Sequence, residues 1–115
     1  MKHIQDYYAP ALGEFEHLVL MALLRVGNGG YGAELRREIQ ARTGRDRSVA
    51  AVYVTLKRLE TKRMVVSYAG DPTPQRGGRR RRHYVMDAAG EHALGRAYRT
   101  FAAMTAGHEG RLAGL

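Results

Sequence analysis

Two short segments of this chain hold the residues whose types and spacing suit one chemistry, the binding of a polyanion. The first is a run of arginines, Arg76, Arg79, Arg80, Arg81 and Arg82, with Gly77 and Gly78 among them. A guanidinium is permanently charged and presents a planar fork of donors that matches phosphate oxygens, and glycines let a loop tip approach a backbone closely. Alternate residues of a strand point to opposite faces, so two or three of these arginines can meet a single duplex. The second segment runs from Ser48 to Glu60. Ser48 is a suitable N-cap, and the helix after it begins with small, uncharged residues. On a helical wheel Val52, Leu56 and Leu59 fall together, while Ala50, Ala51, Val54, Lys57, Arg58 and Thr61 share the opposite side.

A helix that is slim at its first turn and basic further along fits the major groove of DNA. Methyl groups of Ala50, Ala51 and Val54 suit thymine methyls, and Lys57 and Arg58 reach guanine edges or phosphates. Ser48 and Tyr53 join this candidate surface. Tyr53 lies at the edge of the wheel, where its hydroxyl either bonds a phosphate or its ring packs half-buried. Tyr31, at the start of an earlier helix, is a candidate backbone contact beside free helix amides, or else packs inward.

Charge agrees with this chemistry. Nineteen Lys and Arg against eleven Asp and Glu give a net charge of +8, which favours polyanions: DNA, RNA or an anionic membrane. Cysteine is absent, which excludes disulfides, thiolate metal sites and a cysteine nucleophile. The histidines, His3, His17, His83, His92 and His108, include no pair at helical ligand spacing. The segment 27–30 lacks the lysine and hydroxyl of a phosphate-binding loop. These observations predict no enzyme, no metal and no cofactor. No apolar run approaches the roughly 18 residues of a membrane span, and the first residues lack the apolar stretch of a signal peptide. A cytoplasmic protein is the expectation.

The elements that must position these residues follow from periodicity. Phe15, Leu18, Val19, Ala22, Leu23 and Val26 form one apolar face of a helix over 14–26, with Glu14 and Glu16 at its favourable end and glycines 27, 29 and 30 to stop it. A second helix spans 31–42 with Leu35 and Ile39 inward. The third runs from Ser48 to about Lys62. Residues 64–70 and 81–87 read as the strands of a hairpin joined by turn chemistry over 71–78. Asp87 caps a last helix whose stripe of Leu94, Tyr98, Phe101, Thr105, His108 and Leu112 steps by four and three, with Gly107, Gly110 and Gly114 weakening its end. Residues 1–12 suggest a short helix ending near Pro10. The expected fold is mainly α with a small β-hairpin: a winged helix-turn-helix with one C-terminal helix.

Three segments in this order resemble the PadR-like family of bacterial winged-helix transcriptional regulators. They are LVLMALL at 18–24 with GGYGAEL at 29–35, AVYVTLKRLE at 51–60, and GRRRRHYVMDAAG at 78–90. The resemblance covers residues 14 to 95, and the chain matches the short type with a single C-terminal helix. Val54 stands where the family often has proline and Ala33 where it often has an aromatic residue; both lie near the presumed DNA. The resemblance implies a homodimer, usually a repressor, on a pseudo-palindromic operator with half-sites about one helical turn (~34 Å) apart. It divides the chain into a DNA-binding unit over 1–87 and a dimerisation helix over 88–115, with Leu94, Tyr98, Phe101 and Leu112 at the interface. Some short members resemble drug sensors with an aromatic pocket between subunits. Tyr7, Tyr8, Tyr98 and Phe101 either line such a pocket for a small hydrophobic effector or serve as dimer packing. Two other readings stay open at this level: a nonspecific nucleic-acid binder, which the scarcity of stacking aromatics disfavours, and a winged-helix module that binds protein.

Overall fold

The computed structural model describes residues 12–72 and 80–115. In chain order they form α1 (Glu14–Val26), α2 (Gly32–Thr43), α3 (Val49–Thr61), β1 (Val65–Pro72), β2 (Arg80–Met86), α4 (Ala88–Thr105) and α5 (Glu109–Ala113). The short helix suggested before Pro10 and the tip of the wing, with Arg76 and Arg79, lie outside the described residues.

Each helix starts and stops for local reasons. Glu16 reaches back from the first turn of α1, and its Oε1 accepts a hydrogen bond from the Gly13 amide at 2.8 Å, satisfying a donor the helix leaves free. Gly27 and Gly44 follow α1 and α2 with φ of 98° and 74°, the left-handed region in which a Cβ is costly. Ser48 caps α3, its Oγ accepting from the Ala51 amide at 3.1 Å. Asp87 caps α4 by accepting from the Ala88 amide at 2.8 Å.

The core joins three helices to the base of the hairpin. Val19, Leu20 and Leu23 of α1, Leu35 and Ile39 of α2, and Val52, Leu56 and Leu59 of α3 are buried together with Met64, Val65, Tyr84, Ala93 and Leu94. Each such aliphatic side chain contributes about 1.5–3 kcal/mol by leaving water. Gly32 lets α2 approach α3: a Cβ there would stand 2.6 Å from the Tyr53 ring. On the other side of the core, Lys62 Nζ donates to Glu16 Oε2 at 2.7 Å and joins the end of α3 to the start of α1. Burial pushes the Glu16 carboxyl up, but the Lys62 hydrogen bonds, the Gly13 amide and the charges of Lys62 and Arg58 outweigh it, so its pKa lies below the ordinary 4.5.

β1 and β2 pair antiparallel from Val65↔Met86 to Ala69↔Arg82, and then Pro72↔Arg80. One extra residue in β1 marks a bulge, which bends the hairpin where it leaves the core. β1 therefore continues through Asp71 and Pro72, two residues past the end expected from its β-formers. A feature with no periodic signal completes the sheet: the Gly29 amide donates to Tyr84 O at 2.9 Å and the Tyr84 amide donates to Gly30 O at 2.8 Å. The glycine turn after α1 thus acts as a short third strand beside β2.

The C-terminal helix differs from the single stripe expected. α4 ends at Thr105, and the chain turns through Ala106–His108, with Gly107 at φ 85°. The short α5 follows, so Leu112 lies on a separate helix and the stripe is broken. Leu94 also departs from its expected role. It is 6% exposed and belongs to the core of the chain itself, because the first two turns of α4 lie on the helical bundle. Beyond them the same face runs into solvent, where Tyr98, Phe101 and Met104 are 72%, 71% and 78% exposed.

Candidate nucleic-acid interface

α3 presents the surface that its wheel describes. Val52, Leu56 and Leu59 are fully buried and Thr55 nearly so. The opposite side carries Ala50, Val54, Lys57 and Thr61, all exposed, with Ala51 on the flank. The spacing 50–54–57–61 is one stripe of an α-helix. Arg58 is exposed too, but it lies on the flank turned toward α1, where its charge acts on Glu16. The exposed cation on the stripe itself is therefore Lys57. Tyr53 is partly buried against the core with its ring over Gly32. The packing reading of that residue is the one its position supports, although its edge still reaches the cleft described next.

The wing arginines do not form a uniform comb. Arg80 and Arg82 are exposed and Arg81 is half-buried. Arg81 lies with its guanidinium carbon 3.8 Å from the centre of the Tyr31 ring. Arg37 approaches the same ring at 5.8 Å and donates to the Tyr31 hydroxyl at 3.1 Å. Tyr31 is thus held between a cation from the wing and a cation from α2, an arrangement that ring quadrupoles favour. Arg82 Nε donates to Ser67 Oγ at 3.1 Å, and Ser67 donates to Glu60 of α3 at 2.5 Å. The wing is therefore tied to the helix beside it.

Between these parts is an open cleft of about 490 Å³ lined by Tyr31, Ala33, Tyr53, Arg80, Arg81, Arg82 and Tyr84. Burial, with the charge of Glu60 nearby, raises the pKa of the Tyr84 phenol, so it stays a neutral hydroxyl. Three arginines over aromatic walls, without an acidic side chain in the lining, make this cleft an attractive place for phosphate oxygens. Ala33, where an aromatic residue was the family expectation, leaves it wider.

Two participants escaped the sequence reading. His83, considered in the sequence only as a metal ligand, is a half-buried bracket. Its Nδ1 lies 2.6 Å from Gly29 O, its ring stacks on Tyr68 at 5.3 Å, and it meets Tyr31 edge-on at 6.1 Å. Strand alternation was the available signal, because it places His83 on the same face of β2 as Arg81. Arg37 is the other, and nothing in its spacing points to Tyr31.

Two further features concern the described residues alone. These residues include no group of three or more acidic or histidine side chains placed to hold a metal ion, and no helix long and apolar enough to cross a membrane.

Residues 19–96 match the profile of the transcriptional regulator PadR-like family. The chain belongs to that family. Solved structures agree on the winged-helix fold. A PadR family transcription regulator from Clostridium difficile is 24% identical, with a TM-score of 0.62 over 81% of this chain and 95% of that one. RosR from H. salinarum is 18% identical, with a TM-score of 0.67 over 90% and 86%. F93 from STIV, described as a winged-helix DNA-binding protein, is 17% identical, with a TM-score of 0.63 over 94% and 100%. No curated protein matches the chain in sequence. In the winged-helix fold of this family α2 and α3 are the helix-turn-helix and the β1–β2 hairpin is the wing.

Proposed function

We propose that this PadR-like protein is a homodimeric, sequence-specific repressor of transcription acting in the cytoplasm. α3 enters the major groove, with Ala50, Ala51, Val54 and Lys57 at the bases and Ser48, Arg58 and Tyr53 toward the backbone. Arg80, Arg81 and Arg82, with Tyr31 behind them, hold the flanking phosphates; Arg76 and Arg79 of the wing tip extend that contact. The observation that carries the reading is the adjacency of the exposed 50–54–57–61 stripe and the arginine-lined cleft, since phosphate contacts position a protein and base contacts specify its site.

Residues 1–87 act as the DNA-binding unit and 88–115 as the dimerisation element. Tyr98, Phe101 and Met104 of α4, large apolar side chains in water, are the surface a second copy covers, with Leu112 of α5 at its end. A pseudo-palindromic operator follows from the two-fold axis of such a dimer. Fluorescence anisotropy on duplexes enriched from genomic DNA tests the reading. It predicts a preferred duplex, protected at one promoter-proximal site per dimer. Equal affinity for every duplex contradicts it.

The exposed Tyr98 and Phe101 also motivate a hypothesis that a small hydrophobic effector binds between subunits and releases DNA. Titration with hydrophobic cations that changes neither tyrosine fluorescence nor DNA affinity would sink it.

A further inference from the structure

The reading face of α3 is unusual in what its neighbours do with their polar groups. From Arg45 to Thr55 the polar side chains apart from the Tyr53 hydroxyl have partners within the protein. Arg45 pairs with Glu14. Asp46 accepts from Arg36 at 2.6 Å, and the Arg47 carbonyl accepts from the same arginine at 2.7 Å. The Arg47 guanidinium lies 4.3 Å above the Phe15 ring. Ser48 Oγ is occupied by the Ala51 amide. Tyr53 packs on Gly32, and Thr55 donates to the Ala51 carbonyl at 2.9 Å. On the outward stripe of the first two turns themselves the exposed surface is carbon: Ala50 and Val54, the latter 52% exposed, with Val49 37% exposed beside them. The first hydrogen-bonding group on the stripe is Lys57, seven residues after Ala50 and about 10 Å further along the helix. That length spans roughly three base pairs.

We propose that the first two turns of α3 select pyrimidines by their 5-methyl groups, thymine or 5-methylcytosine, at the base pairs facing Ala50 and Val54. This rests on the reading that α3 occupies the major groove. A base-pair edge in that groove offers donors, acceptors or the thymine methyl. Hydrocarbon side chains satisfy only the last, and a donor or acceptor pressed against them loses its water without gaining a partner. The hydrogen-bonded readout then belongs to Lys57 and begins about three base pairs away. Val54 is the specificity-determining residue, because it places two methyl groups at the centre of the stripe.

Uracil and thymine differ by that methyl alone, which makes the test direct. A preferred duplex is first enriched from a random library with the intact protein. Its thymines are then replaced by deoxyuridine one position at a time, and affinity is read by anisotropy. One or two positions in each half-site should lose about fourfold each, corresponding to the ~0.8 kcal/mol of one buried methyl-sized group, while the other thymines are neutral. A cytosine placed at a sensitive position should regain affinity when 5-methylated. Val54→Ala should weaken binding to the thymine duplex severalfold and change little on the uracil duplex. A fully uracil-substituted duplex that binds as tightly as the original overturns the inference and leaves the regulator reading intact. So does a Val54→Ala loss of equal size on both duplexes. A library that yields no preferred duplex overturns the regulator reading itself, and the inference falls with it.

Discussion

The outward faces of α3 and α4 begin alike and end differently. Both helices bury one stripe in the same core, Val52, Leu56 and Leu59 in the first and Gly90, Ala93 and Leu94 in the second. Both then offer apolar side chains to water. On α3 these are small, Ala50 and Val54, and they lie beside an arginine-lined cleft. On α4 they are large, Tyr98, Phe101 and Met104, and they lie past the edge of the core. Size decides what each face can meet. Small methyl groups leave room for the edges of bases in a groove, and phosphates flank that groove where the cations are. Large aromatic side chains fill the surface of another protein and carry most of the energy of such contacts. One chain thus holds two apolar faces of different size, and the proposal gives the small one to DNA and the large one to a second copy.

The largest expected effect is at α3. Ala50→Glu places a carboxylate among phosphates and bases and should reduce DNA affinity at least about 100-fold, since several kcal/mol attach to a misplaced charge. Thermal melting and dimer mass should be unchanged, because Ala50 is exposed and outside the core. Normal binding by this variant breaks the α3 half of the comparison. Next is α4. Tyr98→Ala with Phe101→Ala should shift sedimentation toward the monomer at micromolar protein, with melting of the helical bundle little altered. A dimer that persists at low concentration removes α4 from the interface. Leu94→Ala sharpens the same point from the other side: it should destabilise the protomer by about 2–5 kcal/mol, as loss of a buried leucine does, and denaturant unfolding measures it.

The wing should have a smaller and more general effect. Replacing Arg80 and Arg81 by alanine should weaken binding to every duplex alike and make the log–log salt slope shallower by about 1–2. A change confined to one sequence would instead give those arginines a base-reading role. The smallest effect concerns Glu16, which touches neither face. Its folded pKa is depressed, so the stability it contributes is present above its ordinary value of 4.5 and is lost as pH falls through the lower folded value. Glu16→Gln should cost about 1–2 kcal/mol at pH 7, as loss of a charge-assisted hydrogen bond does. The difference from the parent protein should shrink as pH falls below 4.5 and through the lower folded value, which urea unfolding over a descending pH series checks.

Most of the fold was legible because it depends on local periodicity. The α1 face, the Leu35 and Ile39 pair, the Val52, Leu56 and Leu59 stripe and the caps at Ser48 and Asp87 all follow from spacing and side-chain type. What was not legible depends on contacts between distant segments. The glycine turn at 29–30 joins β2 through backbone hydrogen bonds, which leave no side-chain pattern. The His83 bracket needs Gly29, Tyr31 and Tyr68 brought together by the fold. Leu94 shares a continuous heptad-like stripe with Tyr98 and Phe101, and spacing alone does not reveal where the core stops beneath a helix. The break at Gly107 was signalled by its glycine, but whether a glycine frays or redirects a helix depends on the residues that follow. The candidate site divides the same way: the α3 stripe was readable from the wheel, whereas the engagement of Arg81 with Tyr31 required the folded chain.

The central claim is that α3 and the wing together read a specific duplex. The most direct test is fluorescence anisotropy of the intact protein on the DNA upstream of its own gene and on a scrambled duplex of equal length, over a salt series. The account predicts tight binding to the native duplex at salt concentrations that release the scrambled one, and loss of that difference in Ala50→Glu. Equal, strongly salt-dependent binding to both duplexes, unaffected by Ala50→Glu, would contradict it.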